Sequence, residues 1–503
     1  MSLAAACGWT FARTVVLCLL AAPLIVLIER WLRRRSDARR PFVLAILLAP
    51  FLFPELLVGY TFREFALASP ARAEWLCAGL LFIRIVPVGV VALLASPASL
   101  ISASAIHCRW MLLRANVGSR HEWWQLLKCY WHGPVRRMLP ALSLIGLVSF
   151  QEFELAALLQ TASWTDWFIS AQRFGLSRAE MLQQAAWPVV MQLPLLVGAV
   201  SCWSGQQATR PLEDDVISTA AADRRSGLVI IYLGLALTCG CLIPLAIMAG
   251  NLPAGLKLLI RQPTQWTGLG REMVIASAVS VCAGLTTWFV GGAWTAVPRA
   301  NRLSKNLRQG LLWPGLAGSL LLSLSAVVLL QQPWLRPIYD TPLPWVLALL
   351  VWLLPRAVLL RLWLAAVTRT EGVHLAELLE SPVSSSGEST KSIAVDRTSS
   401  PTITEPPRSR IHSADLLFRL RDQPQLLGMG LLCYWAYLDL PTAYLLAPSG
   451  MPSGLVRLYN FMHFGRSAAL SAESLLFFGL PLLATYLTIL LFRWRRRHSG
   501  GVR

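Results

Sequence analysis

Long apolar runs are the feature that most constrains how this chain can fold. A helix of about 20 apolar residues crosses the hydrocarbon core of a bilayer, and the sequence contains eleven runs near that length. The runs are 12–30, 42–61, 74–97, 138–160, 185–203, 227–249, 272–296, 310–331, 344–367, 425–447 and 473–492. They predict an all-α polytopic membrane protein with about 11 transmembrane helices.

The composition agrees with a membrane protein and argues against a nucleic-acid-binding one. Of the 503 residues, 55% are hydrophobic and only 14% are charged, and the mean hydropathy is +0.55. Such a chain has too few charges to cover a soluble domain. The net charge of +19 would suit nucleic acid, but the basic residues lie in short loops between apolar runs, as they do in membrane proteins.

The distribution of lysine and arginine predicts the orientation. One alternate set of loops, which includes Arg33–Arg35, Arg299 and the C-terminal Arg495–Arg497, holds several times as many basic residues as the other set. Loops rich in lysine and arginine stay on the cytoplasmic side. We therefore expect a multi-pass protein of the cytoplasmic (inner) membrane, with the N-terminus outside and the C-terminus in the cytoplasm.

The chain also resembles itself. SFQEFELAALL (149–159) parallels AYLDLPTAYLL (436–446), and this pairing places Glu152 opposite Asp439. Such internal similarity is typical of transporters built from two repeated halves. We expect a first half at 1–203, a cytoplasmic linker at 204–226 and a second half at 227–503. A Ser/Thr/Pro-rich segment, 381–412, has the composition of a disordered insertion.

In each half, the longest cytoplasmic loop precedes the span that carries the acid. The first loop, 100–136, contains GSRHEWWQLLKCYWHGP, in which Ser119 and Glu122 have capping-box spacing. Trp123, Leu127 and Trp131, with Leu126 and Tyr130, follow at helical spacing and would form one apolar face. This pattern predicts an amphipathic helix that Gly133-Pro134 ends. Such a helix either lies on the bilayer surface or docks a cytoplasmic partner.

This loop resembles the coupling loop of permease subunits from bacterial ATP-binding-cassette importers. Gly118 matches the glycine of their loop motif, and the Trp-rich helix with Pro134 and Pro140 matches its downstream part. The Glu-Ala-Ala start of the motif is lost in the first half. In the second loop, 368–424, AELLES (376–381) resembles that start, and LLFRLRDQP (416–424) resumes the pattern after the insertion.

Two further stretches resemble fused iron(III)-type importer permeases. They are FQEFELAALLQTASWTDWFISAQRFGL (150–176) and LLAPSGMPSGLVRLYNFMHFGRSAALSAESLL (445–476). The resemblance implies a binding-protein-dependent importer permease that docks two cytoplasmic ATPase subunits and an extracytoplasmic solute-binding protein. It implies ATPase docking through the two loops, at Gly118, Glu122, Trp123, Leu127, Trp131, Glu377, Glu380, Arg419 and Asp422.

Acidic residues within the apolar runs are the candidate functional residues in the membrane. Gln151, Glu152 and Asp439 would line the translocation path or the interface between the halves, because ionisable groups at this depth are costly and usually functional. The alternative is that they anchor neighbouring helices. On a continuous helix, Glu154 would lie about 200° around the axis from Glu152, so both acids could not face one pore.

No catalytic or metal-ligand constellation is visible in the sequence. GESTKS (387–392) lacks the second glycine of a phosphate-binding loop and has no preceding strand. We therefore expect a permease that is not an enzyme and binds no cofactor or metal, with ATP on its partner. Two other functions stay open: a diverged membrane scaffold or sensor without transport, and a secondary transporter with Glu152 and Asp439 as ion sites.

Overall fold

The apolar runs fold into α-helices, in which each backbone N–H and C=O is satisfied within its own segment. The computed structural model describes residues 1–33, 35, 39–96, 103–115, 120–173, 175–204, 220–261, 263–296, 310–367, 418–451 and 453–499. Within these ranges the chain contains no β-strand. The described part is therefore all-α, as predicted.

The helices are numbered here in chain order. Before the predicted linker they are α1 (Leu3–Arg33), α2 (Arg40–Leu52), α3 (Glu55–Leu67), α4 (Pro70–Ala95), α5 (Ala103–Ala115), α6 (Arg120–Tyr130), α7 (Arg136–Phe150), α8 (Glu154–Leu159), α9 (Trp164–Arg173), α10 (Arg178–Gln184) and α11 (Ala186–Ser204). After it they are α12 (Ala220–Leu237), α13 (Ile243–Arg261), α14 (Pro263–Ala296), α15 (Gly310–Leu316), α16 (Ser319–Leu330), α17 (Arg336–Tyr339), α18 (Leu343–Val367), α19 (Gln423–Leu438), α20 (Leu440–Leu446), α21 (Gly454–His463) and α22 (Ser467–Ser499).

Six helical segments in the described part are long and apolar enough to cross a membrane. They are Leu3–Arg33, Pro70–Ala95, Ser226–Arg261, Trp266–Thr295, Leu343–Ala365 and Ser467–Arg495. Two bent pairs, α2 with α3 and α15 with α16, raise the count to eight if each pair is one span. The protein is thus a multi-pass membrane protein by length and composition, and its described part holds fewer candidate spans than the eleven expected.

The shortfall has a structural cause at two of the expected spans. Run 138–160 is divided between α7 and α8, and run 425–447 is divided between α19 and α20. Neither part of these runs reaches the length that a straight crossing requires. Hydropathy averages over such a break, and so the sequence predicted continuous helices at both places.

The buried core joins the N-terminal half (before the linker) to the C-terminal half (after it). Phe150 and Trp164 lie in one hydrophobic cluster with Leu320, Tyr437 and Phe477. Helix α4 is central, because 67% of the residues in its most apolar stretch are buried. Helix α22 is peripheral, because only 11% of the residues in the corresponding stretch are buried. Buried residues from before and after the linker therefore share one core cluster.

The predicted cytoplasmic loops are partly helical. Loop 100–136 contains α5 and α6, and a π-helical turn at Trp131–Val135 joins α6 to α7 at the predicted Gly133-Pro134 stop. Helix α12 begins at Ala220, inside the predicted linker 204–226. The insertion 381–412 lies outside the described residues.

Candidate functional site

Four helix breaks meet around one partly open cavity of about 190 Å³. The breaks fall at Phe53–Pro54, Gln151–Phe153, Ala317–Gly318 and Asp439, and residues from every break line the cavity. Helices α2 and α3 bend by 63°, and α15 and α16 bend by 103°. Six charged residues face the same space: Glu55, Arg84, Glu152, Glu154, Arg356 and Asp439.

Arg84, on the central helix α4, holds the break between α2 and α3 together. Its Nη1 donates to the carbonyl oxygens of Pro50 at 3.0 Å and Phe53 at 2.8 Å, and its Nη2 donates to Phe51 at 3.1 Å. The same Nη2 lies 2.5 Å from Oε1 of Glu55. A broken helix frees carbonyl groups that lipid cannot satisfy. The guanidinium supplies their partners and opposes the negative end of the α2 dipole.

Glu152 and Asp439 make the same local contact at two other breaks. The Glu152 carboxylate accepts the backbone N–H of Leu155 at the start of α8. The Asp439 carboxylate accepts the N–H of Thr442 at 3.0 Å and the Thr442 hydroxyl at the start of α20. Each acid therefore caps the second segment of a broken helix while it also lines the cavity. Capping of the following helical segment and lining of the cavity thus occur together in each acid.

Gln151 connects the two halves directly. Its Nε2 donates to the carbonyl of Leu316 at 2.6 Å and to Oε1 of Gln192 at 2.7 Å. Leu316 ends α15 in the C-terminal half, whereas Gln192 belongs to α11 in the N-terminal half. Gln151 thus bonds to one residue before the linker and to one after it.

The expectation for Glu154 is wrong. On a continuous helix it would point away from the space that Glu152 faces, but both side chains line the same cavity. The cause is the non-helical segment Gln151–Phe153, after which the helical phase starts again at Glu154. The usual 100° rotation per residue does not hold across such a break.

Three charged residues of the cavity were missed by the sequence analysis. Glu55, Arg84 and Arg356 lie inside or at the edge of the apolar runs 42–61, 74–97 and 344–367. A charge within a spanning run is itself a signal for a functional or pairing role. Arg356 donates to the Trp352 carbonyl at 2.7 Å and stands 3.9 Å above the centre of the Trp352 ring.

The predicted docking residues lie elsewhere, on α6. Trp123, Leu127 and Trp131 are exposed, at 60%, 57% and 59% of their surface, whereas Leu126 on the same predicted face is buried. Helix α6 carries Glu122, but the described part does not extend to its side chain. Helix α7 runs from the π-helical turn after α6 to the break at Gln151, so it links the exposed tryptophans to the cavity.

The other predicted docking residues are described only in part. Gly118, Glu377 and Glu380 lie outside the described residues. Arg419, whose side chain is also outside them, and Asp422 belong to the π-helical turn Phe418–Asp422 that leads into α19. Neither of these two residues lines the cavity.

Among the described residues, no three His, Cys, Asp or Glu side chains are placed to hold a metal ion together. No protein-family model, curated protein or solved structure matches the chain.

Proposed function

We propose that this chain is the permease subunit of an ATP-driven, binding-protein-dependent importer in the cytoplasmic membrane. In this proposal it has eleven spans in two repeated halves, with the N-terminus outside and the C-terminus in the cytoplasm. It forms the translocation path and docks two ATPase subunits and an extracytoplasmic solute-binding protein. It binds no nucleotide itself, and its cargo is iron(III) or a related small solute, as the resemblance implies.

The observation that carries the proposal is the connection between an exposed apolar helix and a cavity that six charged residues line. Trp123, Leu127 and Trp131 leave a large apolar surface uncovered on α6. Exposed apolar patches of this kind mark contacts with a protein partner or with the membrane, and tryptophan is strongly enriched at the energetic centres of protein interfaces. A partner that moves α6 would move α7, and α7 ends at the cavity.

The cavity has the features that alternating access requires. Its helices are broken beside the polar residues of the apolar runs. Broken helices also form the binding sites of transporters in which the site lies between repeated units. Such breaks let helix segments move as rigid parts about a few hinge residues. The similar capping by Glu152 and Asp439, and the arginines on α4 and α18, support two related halves.

The docking proposal can be tested with a double variant. The full-length chain carrying Trp123→Ala and Trp131→Ala should lose ATPase co-purification and ATP-dependent uptake in proteoliposomes, because two large apolar contacts are removed. Trp187→Ala is the matched control, since Trp187 on α11 is similarly exposed at 56%. If the double variant binds the ATPase and transports like the unmodified chain, α6 does not dock, and a helix lying on the bilayer surface explains its tryptophans.

A second candidate function is ion-coupled secondary transport. Four carboxylates face the cavity, and acids within spanning segments form proton and ion sites in secondary transporters. Uptake that persists after ATP depletion and stops when the membrane potential is collapsed would favour this function. Uptake with the opposite dependence supports the importer.

A further inference from the structure

The cavity between the broken helices carries more negative than positive side chains. Four carboxylates and two guanidinium groups face it. Each broken helix also brings one N-terminus and one C-terminus to the cavity, and the partial charges of these two ends are opposite. The helix dipoles therefore largely cancel, and the side chains decide the sign of the field.

The arginines do not neutralise all four acids. Arg84 is occupied by Glu55 and by three backbone carbonyls at the α2–α3 break. Arg356 lies against Trp352 of its own helix. In the described part of the chain, no basic side chain forms a salt bridge with Glu152 or Glu154.

Uncompensated carboxylates are costly in a low-dielectric interior, because they lose hydration without gaining a counter-ion. Glu152 is 95% buried, and Glu154 is half-buried at the first position of α8. Buried acids without a counter-ion avoid this cost by taking up a proton, and a positively charged ligand next to these two side chains would stabilise their ionised form instead. An anionic solute would meet repulsion there.

The size and walls of the cavity narrow the chemistry of that ligand. A dry cavity of about 150 Å³ accommodates a molecule the size of benzene, so about 190 Å³ holds a small organic solute. Leu56, Leu81, Ile85 and Val148 provide apolar wall on the same space. A bare inorganic cation would instead require six or more converging oxygen ligands, and the described residues provide no metal-holding group.

We propose that this cavity binds a small monovalent organic cation of the alkylammonium class. Its ammonium group lies between Glu152 and Glu154, and its apolar body packs on the aliphatic wall. The assignment rests on the proposed transport function only in making this cation the cargo, in place of the iron(III) that the resemblance implies, because binding itself requires no ATPase.

The direct test uses choline as the probe and dimethylbutanol, its uncharged isostere, as the matched control. The full-length chain in detergent should be stabilised against thermal unfolding by choline in a saturable manner, and at least tenfold more weakly by dimethylbutanol. Equal stabilisation by both compounds, or none by choline, overturns the proposal. Displacement of choline by sodium or potassium at equal concentration also overturns it in favour of an inorganic ion site.

Substitutions locate the binding to the cavity. Glu154→Gln should weaken choline binding about tenfold, because the substitution removes one charge–charge contact at nearly constant shape. Glu64→Gln on α3 is the control, since Glu64 is an exposed acid that does not line the cavity. Equal affinity of both variants would place choline elsewhere.

Choline binding by the docking variant separates this proposal from the importer function. The Trp123→Ala/Trp131→Ala protein should lose ATP-dependent transport and still bind choline with unchanged affinity. A protein that transports with ATP but does not bind choline contradicts the cation assignment alone.

Discussion

At the scale of single residues, the buried acids of this protein serve as helix caps as well as cavity lining. Asp439 is both a cap and a lining residue, because one carboxylate oxygen accepts the Thr442 N–H while the side chain faces the cavity. A backbone N–H at the start of a helix has no partner inside that helix. In lipid, where water cannot supply one, a side-chain cap is the available solution.

The capping role predicts a difference between two substitutions of Asp439. Asp439→Ala should lower the free energy of unfolding by about 1 kcal/mol, because the cap is lost. Asp439→Asn should retain most of that free energy of unfolding, because an asparagine oxygen can accept the same N–H. Thermal unfolding of the detergent-purified protein measures both values. Equal losses would show that the charge of Asp439, and not its position as an acceptor, stabilises the fold.

A second residue-scale prediction concerns Arg84. Arg84→Ala should lower the free energy of unfolding by about 3–5 kcal/mol, because it leaves Glu55 and three carbonyl oxygens without their partner. Arg72→Ala is the control at an exposed arginine on the same helix. A similar effect of both substitutions on the thermal midpoint would contradict the role of Arg84 at the α2–α3 break.

At the scale of elements, sharp bends bring helix ends to the cavity, and one of them depends on glycine. Gly318 separates α15 from α16 and has φ of 102°, in the left-handed region that other residues rarely adopt. A Cβ added there would lie 2.9 Å from the Gln151 side chain. The bend of 103° therefore requires a residue without a side chain.

Gly318→Ala should accordingly destabilise the protein by about 1–2 kcal/mol, the cost of placing an L-residue in this conformation. It should also disturb the Gln151 contact with Leu316. Gly479→Ala provides the control, because a Cβ at Gly479 in α22 has nothing within 4 Å. Unfolding curves in urea compare the two variants, and an unchanged midpoint for Gly318→Ala would show that the bend tolerates a side chain.

At the scale of the whole molecule, the two halves are held together by more than the chain that joins them. The cluster of Phe150 and Trp164 with Leu320 and Tyr437 crosses from one half to the other. Arg63 also donates to the carbonyl of Met462 at 2.6 Å across the same boundary. Buried apolar contacts and hydrogen bonds between the halves persist whether or not the linker is intact.

Cutting the linker should therefore leave the complex intact. A protease site inserted within residues 205–219 and cleaved after purification should give two fragments that still elute together on size exclusion in mild detergent. The uncut protein and a sample in sodium dodecyl sulfate serve as the two references. Separate elution in mild detergent would mean that the covalent link is what holds the halves together.

The sequence by itself determined the class of the protein and its local elements. Apolar length fixed an all-α membrane protein, and the periodicity from Trp123 to Trp131 placed α6 and its end near Gly133-Pro134. These properties depend on neighbouring residues only, so they can be predicted from local hydropathy and spacing.

Only the tertiary structure decided how many spans are continuous and which charges meet. Hydropathy could not show that four runs are broken, because the break residues are few and most of their neighbours are apolar. Nor could spacing place Glu154 beside Glu152, since the break resets the helical phase. Arg84 reaches Glu55 across 29 positions of the chain, and Gln151 reaches Leu316 across 165. Such contacts are set by helix packing, which brings together residues that are distant in the chain. They form because lipid offers no other partner to these charges and backbone groups.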